Sequence, residues 1–300
     1  MNVHTIDLHF QGIPEVIGSF LIDLGTGWAL VESGPHSCWP HLVAGLAEHG
    51  LTPNDIDHVL LTHIHLDHAG AAWALARLGA TIHVHPAGAP HLIYPEKLIS
   101  SARRIYQEKM DILWGEIQPI DESRIRIAHD GEHITLGHHQ FIPHDTPGHA
   151  VHHLAWQWGK TLFTGDVGGI HIGEGLVAPP CPPPEFQWED WLVSIQKIRA
   201  LDLEQIVLTH YGPVTEISRH LDELEKAIGK WVHYFEQQPD WNDQESLTRD
   251  FISYIHQDFY PPDMDASLQE QYDLANPPWM SVAGITRYLK KKTERNREAS

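Results

Sequence analysis

Thr62-His63-Ile64-His65-Leu66-Asp67-His68-Ala69-Gly70 begins where an apolar run, Val59-Leu60-Leu61, stops. The run reads as a buried strand, so four metal-type side chains, His63, His65, Asp67 and His68, sit at a strand end and in the loop after it. A strand end suits a rigid site, because the backbone that delivers the ligands is held by its neighbours. His63 and His65 are separated by one residue; in extended backbone both project to the same side and can meet one ion. Histidine is common in this chain, 25 of 300 residues. Even at that abundance only roughly 0.01 chance occurrences of His-x-His-x-Asp-His are expected, so the pattern is read as a site rather than as a polar loop.

Outward from this stretch the chain alternates strands and helices. Upstream, Val3–Phe10, Gly18–Leu24 and Trp28–Glu32 read as strands, the last two joined through Gly25-Thr26-Gly27, and Ser37–His49 reads as a helix stopped by Gly50. Downstream come a short helix ending near Gly79 and a strand at Thr81–His85. A mostly helical insertion at about 86–119 follows, with a helical stretch over Leu92–Trp114 that serves either as a flap over a pocket or as a helix packed on the core. Strands return from Arg124: His139–Asp145, His152–Trp158 and Lys160–Phe163 are each ended by a loop, and two of these, Thr146-Pro147-Gly148-His149 and Thr164-Gly165-Asp166, carry further candidate ligands.

A Pro-rich loop (Pro179, Pro180, Pro182, Pro183, Pro184) precedes a helix at about Trp188–Ala200, and the strand Ile206-Val207-Leu208 ends at Thr209-His210-Tyr211-Gly212. This last segment echoes Val59-Leu60-Leu61-Thr62-His63, as though two related halves faced one site. Beyond it the pattern is helical: Glu216–Glu236, then about Asn242–Phe259, Ser267–Leu274 and Met280–Lys292. The division expected is a catalytic domain over 1–215 and a helical C-terminal extension over 216–300 that covers or flanks the site. The basic end, Lys290-Lys291-Lys292 with Arg295 and Arg297, reads as a solvated helix end.

Composition narrows the function. Hydrophobic residues make up 42 % of the chain, enough for a sizeable core, and a formal charge of −20 would repel phosphate backbones and anionic membranes. A small-molecule substrate is expected, with no nucleic acid and no membrane; a homodimer is one candidate assembly. The start, Met1-Asn2-Val3-His4, is not leader-like, and no run reaches the roughly 18 apolar residues of a membrane span. With two distant cysteines, Cys38 and Cys181, a cytoplasmic protein is the expectation.

Collected together, His63, His65, Asp67, His68, His149, Asp166 and His210 are nitrogen and oxygen donors without a thiolate. Such a set suits two borderline divalent ions, each with a position left for water, and so an open catalytic site. A threonine lies near each ligand turn: Thr62, Thr146, Thr164 and Thr209. Strand-end β propensity accounts for them, and bracing of the ligand loops is the alternative.

At these residues the chain resembles the metallo-β-lactamase superfamily of hydrolases, with His63-x-His65-x-Asp67-His68 as its signature and His149, Asp166 and His210 matching the later motifs over about 1–215. The resemblance implies an α/β fold, a four-layer αββα sandwich with metals at one edge. It implies His63, His65 and His149 on a first metal, Asp67, His68 and His210 on a second, and Asp166 between them. The ions expected are zinc, with iron or manganese as alternatives, sharing an activated, bridging hydroxide, and Asp67 is the expected catalytic carboxylate.

Asp166 at the fourth motif points to the glyoxalase II-like, dinuclear subgroup rather than to class B β-lactamases. The continuation Val167-Gly168-Gly169-Ile170-His171 departs from the Gly-Cys-Gly-Arg-type segment of glyoxalase II. Glu32 stands where many relatives have aspartate in an Asp-x-Gly-like motif, a change that touches support more than metal binding. The reading is hydrolysis of a thioester, ester or lactone. Phosphodiester or RNA cleavage is the alternative, although the 43 residues between Asp166 and His210 are too few for the inserted nuclease domain; a non-catalytic metal-binding regulatory protein is the third. Tyr211, His171, Tyr94, Tyr106 and Trp114 are candidate substrate contacts.

Overall fold

The computed structural model describes residues 3–258 and 264–298. Two six-stranded sheets face each other. The first runs, in spatial order, β1 (Val3–Asp7), β2 (Gly18–Asp23), β3 (Trp28–Val31), β4 (Ile56–Leu60), β5 (Thr81–Val84) and β6 (Ile125–Ile127). The second is made of β7 (Ile134–Leu136), β8 (His139–Asp145), β9 (Leu154–Trp158), β10 (Thr161–Phe163), β11 (Gln205–Leu208) and β12 (Gly212–Val214), also adjacent in chain order. The helices are α1 (Trp39–Glu48), α2 (Leu66–Ala69), α3 (Ala72–Arg77), α4 (Ala89–Ile93), α5 (Glu96–Tyr106), α6 (Met110–Trp114), α7 (Trp188–Arg199), α8 (Ile217–Glu236), α9 (Gln244–Asp258), α10 (Ala266–Ala275) and α11 (Pro278–Glu298).

The layering follows from side-chain alternation. Neighbouring strand residues point to opposite faces, and here both faces are apolar. Val31 of β3 and Leu60 of β4 join Trp156, Phe163 and Val207 in a cluster between the sheets. Leu30 and Val59 point outward to Leu42 and Leu46 of α1 and Leu75 of α3. In the second sheet Ile206 and Leu208 face outward to Trp191 and Ile195 of α7 and Leu221 and Leu224 of α8. Three apolar layers between four sets of elements make the αββα sandwich. Phe251 of α9 and Ile285 of α11 lie in the same cluster as β11 and α8, so the C-terminal helices share a core with the second sheet.

Departures from the sequence pattern have local causes. The first strand stops at Asp7 instead of Phe10, because the Asp7 carboxylate accepts from the backbone N–H groups of His9 and Glu15 and His9 turns into the left-handed region. The strand expected through Glu32 ends at Val31, since Glu32 itself adopts φ 65°. The single helical stretch expected over Leu92–Trp114 is three helices, interrupted at Pro95 and at Gln107 with φ 50°. The strand expected to open at His152 opens at Leu154, which leaves His152 and His153 in the turn before it. The helix expected to reach Phe259 runs to Asp258, and Phe259 lies outside the described residues.

One buried histidine links the sandwich to pH. His83 of β5 is buried with its ring edge-on to Trp156 of β9, and its Nε2 lies 3.2 Å from His58 Nδ1. Burial, and the nearby His58 and Arg126, push its pKa down from 6.5 to about 3. Between those two values the unfolded chain takes up a proton that the folded chain refuses, so stability falls as pH drops through that window. His83→Gln removes this proton. From pH 6.5 to 5 the wild type is expected to lose roughly 2 kcal/mol more stability than the variant, as read by urea unfolding at the two pH values.

Candidate metal centre

All seven predicted ligands lie at one edge of the sandwich. His63 and His65 follow β4, Asp67 and His68 open α2, and His149, Asp166 and His210 follow β8, β10 and β11. Strands β8, β10 and β11 run in the same direction, so their ends meet at that edge. Gly148 permits the approach of His149: it has φ 127°, and a Cβ there would lie 2.3 Å from Trp191 Cα.

The seven converge into two groups, His63, His65, His149 and Asp166 in one, and Asp67, His68, Asp166 and His210 in the other; within each, the ligand atoms lie within 4.8 Å of one another, and Glu32 makes a third such group with His63 and His68. Asp166 belongs to both. Its Oδ2 is 3.3 Å from His149 Nε2 and 4.0 Å from His63 Nε2, while its Oδ1 is 3.2 Å from His68 Nε2 and 3.5 Å from His210 Nε2. Asp67 Oδ2 stands 3.5 Å from His68 Nε2 and 3.6 Å from His210 Nε2. His68 Nε2, His210 Nε2 and Asp166 Oδ1 are buried and make no hydrogen bond. Polar atoms that close without pairing suit a cation between them, because buried polar groups otherwise find partners.

The outer faces of the imidazoles fix which nitrogen points inward. Nδ1 of His149 lies 2.9 Å from the Pro180 carbonyl and Nδ1 of His210 lies 2.6 Å from the Val16 carbonyl. A carbonyl can only accept, so each Nδ1 carries the proton and each Nε2 is left as a ligand. Nδ1 of His68 is 3.0 Å from Glu32 Oε1, and Nδ1 of His63 is 3.0 Å from Thr62 Oγ1, whose hydroxyl donates in turn to Glu32. His65 differs by presenting Nδ1, 2.9 Å from Nε2 of both His63 and His149.

Charge agrees with this. Burial, and the surrounding imidazoles, hold His63 well below the usual range, and burial with the charge of His149 holds His65 at about 3. For Asp67 and Asp166 burial pushes upward, but the His68 ring and its neighbours win and keep both carboxylates ionised. Burial would likewise lower His68 and His210; Asp166, Asp67 and Glu32 beside His68, and Asp67 and Asp166 beside His210, raise both instead. Three carboxylates thus face these rings, and a bound cation would take the place of the protons that His68 and His210 hold in its absence.

Glu32 is the residue whose role its sequence position understated. It is fully buried and serves as a hub: its carboxylate accepts from the Thr62 N–H at 3.2 Å, from the Thr62 hydroxyl, from the Thr209 hydroxyl at 3.4 Å and from His68. Thr62 and Thr209 thus tie the ends of β4 and β11, one from each sheet, to a single carboxylate. The sequence echo between those segments is the visible trace of this. Two of the threonines attributed to strand propensity are therefore braces, and Thr146 is also bonded, at 2.8 Å, to Nδ1 of buried His153, whose ring stacks on His63. The turn His149-Ala150-Val151-His152-His153 was the signal available for His152 and His153.

A cavity of about 220 Å³ opens from the cluster, and His65, Asp67, His149 and Asp166 form part of its wall. Of the expected substrate contacts, Tyr106 lines it, whereas the others do not. Tyr94 is exposed, Trp114 is buried against Phe10 and Tyr106, His171 packs beside His220, and Tyr211 packs in the apolar cluster under α8. Cys38 and Cys181 are buried apart from the cluster, and burial raises both thiols, Cys38 to about 12.

A family model described as the metallo-beta-lactamase superfamily matches residues 13–210, which takes in every one of these ligands. The chain belongs to the metallo-beta-lactamase superfamily. It is thereby a member of a hydrolytic superfamily. A metallo-beta-lactamase fold-containing protein of Sulfurisphaera tokodaii, ST1585, is 26 % identical over 175 residues, 56 % of this chain and 66 % of that protein. An atrochrysone carboxyl ACP thioesterase of Aspergillus fumigatus is 27 % identical over 194 residues, 61 % of this chain and 47 % of its own length. The chain thus spans two thirds or less of these relatives. The solved structure of ST1585 superposes with a TM-score of 0.67 at 18 % identity, covering 97 % of this chain and 98 % of that one. That of a metallo-beta-lactamase family protein from Thermus thermophilus, TTHA1429, also gives 0.67, at 20 % identity, covering 98 % and 93 %. Both likenesses extend over the C-terminal helices, so the superfamily fold with a helical addition recurs as a unit.

Proposed function

We propose that the protein is a dinuclear metal-dependent hydrolase of a thioester, ester or lactone of a small molecule. The observation that carries this reading is Asp166, with one oxygen turned to each of two imidazole groups and with His65, Asp67, His149 and Asp166 itself bordering one cavity. The residues that would hold the ions are His63, His65 and His149 on one side and Asp67, His68 and His210 on the other, with Asp166 shared; the nitrogen and oxygen donor set favours zinc. Bound divalent ions supply charge that stabilises a developing anion and lowers the pKa of water towards neutrality.

The chain supplies the rest. Asp67 lines the cavity as an ionised carboxylate and is placed to accept the proton that water gives up. Glu32, Thr62 and the two backbone carbonyls keep the imidazoles in the tautomers that leave the inward nitrogens free. An apolar cavity and a formal charge of −20 favour an uncharged acyl substrate over a phosphodiester backbone. A thioesterase among the relatives points the same way.

The test is a hydrolysis panel on metal-loaded protein: thioesters, lactones, simple esters, phosphodiesters and short RNA. Turnover of the first three classes, lost on chelation and restored by zinc, is the expected result. Activity that survives chelation, or that is confined to phosphodiesters, would overturn the reading.

A further inference from the structure

The cavity has two chemically distinct walls. One is the ligand cluster; the other is mostly hydrocarbon, drawn from three separate parts of the chain, with His91, His152, Glu185 and Asn276 as its polar members beside Ser101 and Lys97. Helix α5 contributes Leu98, Ser101, Ala102, Ile105 and Tyr106, positions spaced three and four apart, so one continuous face of the helix is turned to the cavity. The Pro-rich loop adds Pro180 and Pro182, and the start of α11 adds Met280, whose sulfur lies 4.0 Å from the Tyr106 hydroxyl. The apolar face of an amphipathic helix is normally covered by core, and here part of it borders an open cavity beside a candidate catalytic centre. Lys97 is the lysine or arginine in the lining, and it is exposed.

From this we infer that the cavity holds the acyl part of the substrate, a hydrocarbon chain limited in length, and that Ala102 sets the limit. The assignment rests on the hydrolase reading for the chemistry at the cluster and deepens it by naming the acyl group. At roughly 30 Å³ per water-sized group, 220 Å³ accommodates on the order of six to eight carbons. Ala102 is buried in the middle of the lining face, between Leu98 and Ile105, and has the smallest side chain on it. A larger side chain at this position projects into the space an acyl chain would fill.

The experiment uses a series of acyl thioesters from acetyl to dodecanoyl with the metal-loaded wild type and Ala102→Phe, together with calorimetric binding of octanoate and of acetate to both. In the wild type kcat/KM should rise about fourfold per methylene, the fold-change that corresponds to ~0.8 kcal/mol per buried CH2, and level off between hexanoyl and octanoyl. In Ala102→Phe the octanoyl-to-acetyl preference should fall at least tenfold, with metal content and far-UV circular dichroism as in the wild type. Met280→Trp, on a different element, repeats the test should the first variant not fold.

Hydrolysis that is indifferent to chain length, with octanoate bound no more tightly than acetate, overturns the acyl assignment and leaves the hydrolase reading standing. Octanoate binding that Ala102→Phe abolishes, in a protein that cleaves no thioester, ester or lactone, supports the acyl pocket and overturns the hydrolase reading.

Discussion

Asp166→Asn is expected to abolish hydrolysis and to leave the purified protein with one metal per chain or none. The reason lies in the sharing of one carboxylate. Both oxygens are committed, one to each imidazole group, and the side chain is ionised despite its burial. Asparagine keeps the shape, removes the charge and replaces one acceptor by an N–H donor. Breaking a buried charge interaction in this way costs about 3–5 kcal/mol, which is on the order of 10²- to 10⁴-fold in affinity. The measurement is metal content by mass spectrometry beside turnover in the panel above. A variant that keeps two metals and wild-type turnover would show that Asp166 does not bridge the two groups.

Glu32→Ala is expected to be the most damaging change outside the cluster. It strips the acceptor from Thr62 N–H, the Thr62 and Thr209 hydroxyls and His68 Nδ1–H in one step, inside a fully buried site. Leaving such groups unpaired costs on the order of 3–5 kcal/mol, a drop in Tm on the order of 10 °C for a chain of this size. Glu32→Gln separates packing from charge. It fills the same volume but puts a donor where Thr62 or His68 needs an acceptor, and metal affinity should fall about 10–100-fold, as for other groups that orient ligands. Calorimetric melting and zinc titration of both variants give the two quantities. Unchanged melting and unchanged zinc affinity in Glu32→Ala would contradict the hub role.

Much of the candidate site was legible because residues of metal-ligating type stand at recognisable spacing. His63-x-His65-x-Asp67-His68 needs no tertiary information, and the later ligands each end a strand that apolar alternation marks. The strand order within each sheet follows the chain, while the four layers were implied by the resemblance that the motifs carry rather than by the alternation of elements. The helical insertion was placed, but its division into α4, α5 and α6 was not: Pro95 marks the first break in the sequence, whereas the second, at Gln107, depends on backbone conformation rather than on a helix-breaking residue.

Sequence by itself therefore determined which imidazoles and carboxylates converge, since they stand in motifs of a few residues, and it determined the superfamily and the sandwich through the resemblance those motifs carry. Tertiary structure alone decided that Asp166 turns an oxygen to each group, that Glu32 ties Thr62 to Thr209 across both sheets, and that Tyr106 rather than Tyr94, Trp114, His171 or Tyr211 borders the cavity. The physical reason is range. Periodicity reports which face of an element is buried, whereas the partner of a buried carboxylate, 30 or 177 positions away in the chain, is set by how the sheets and helices pack.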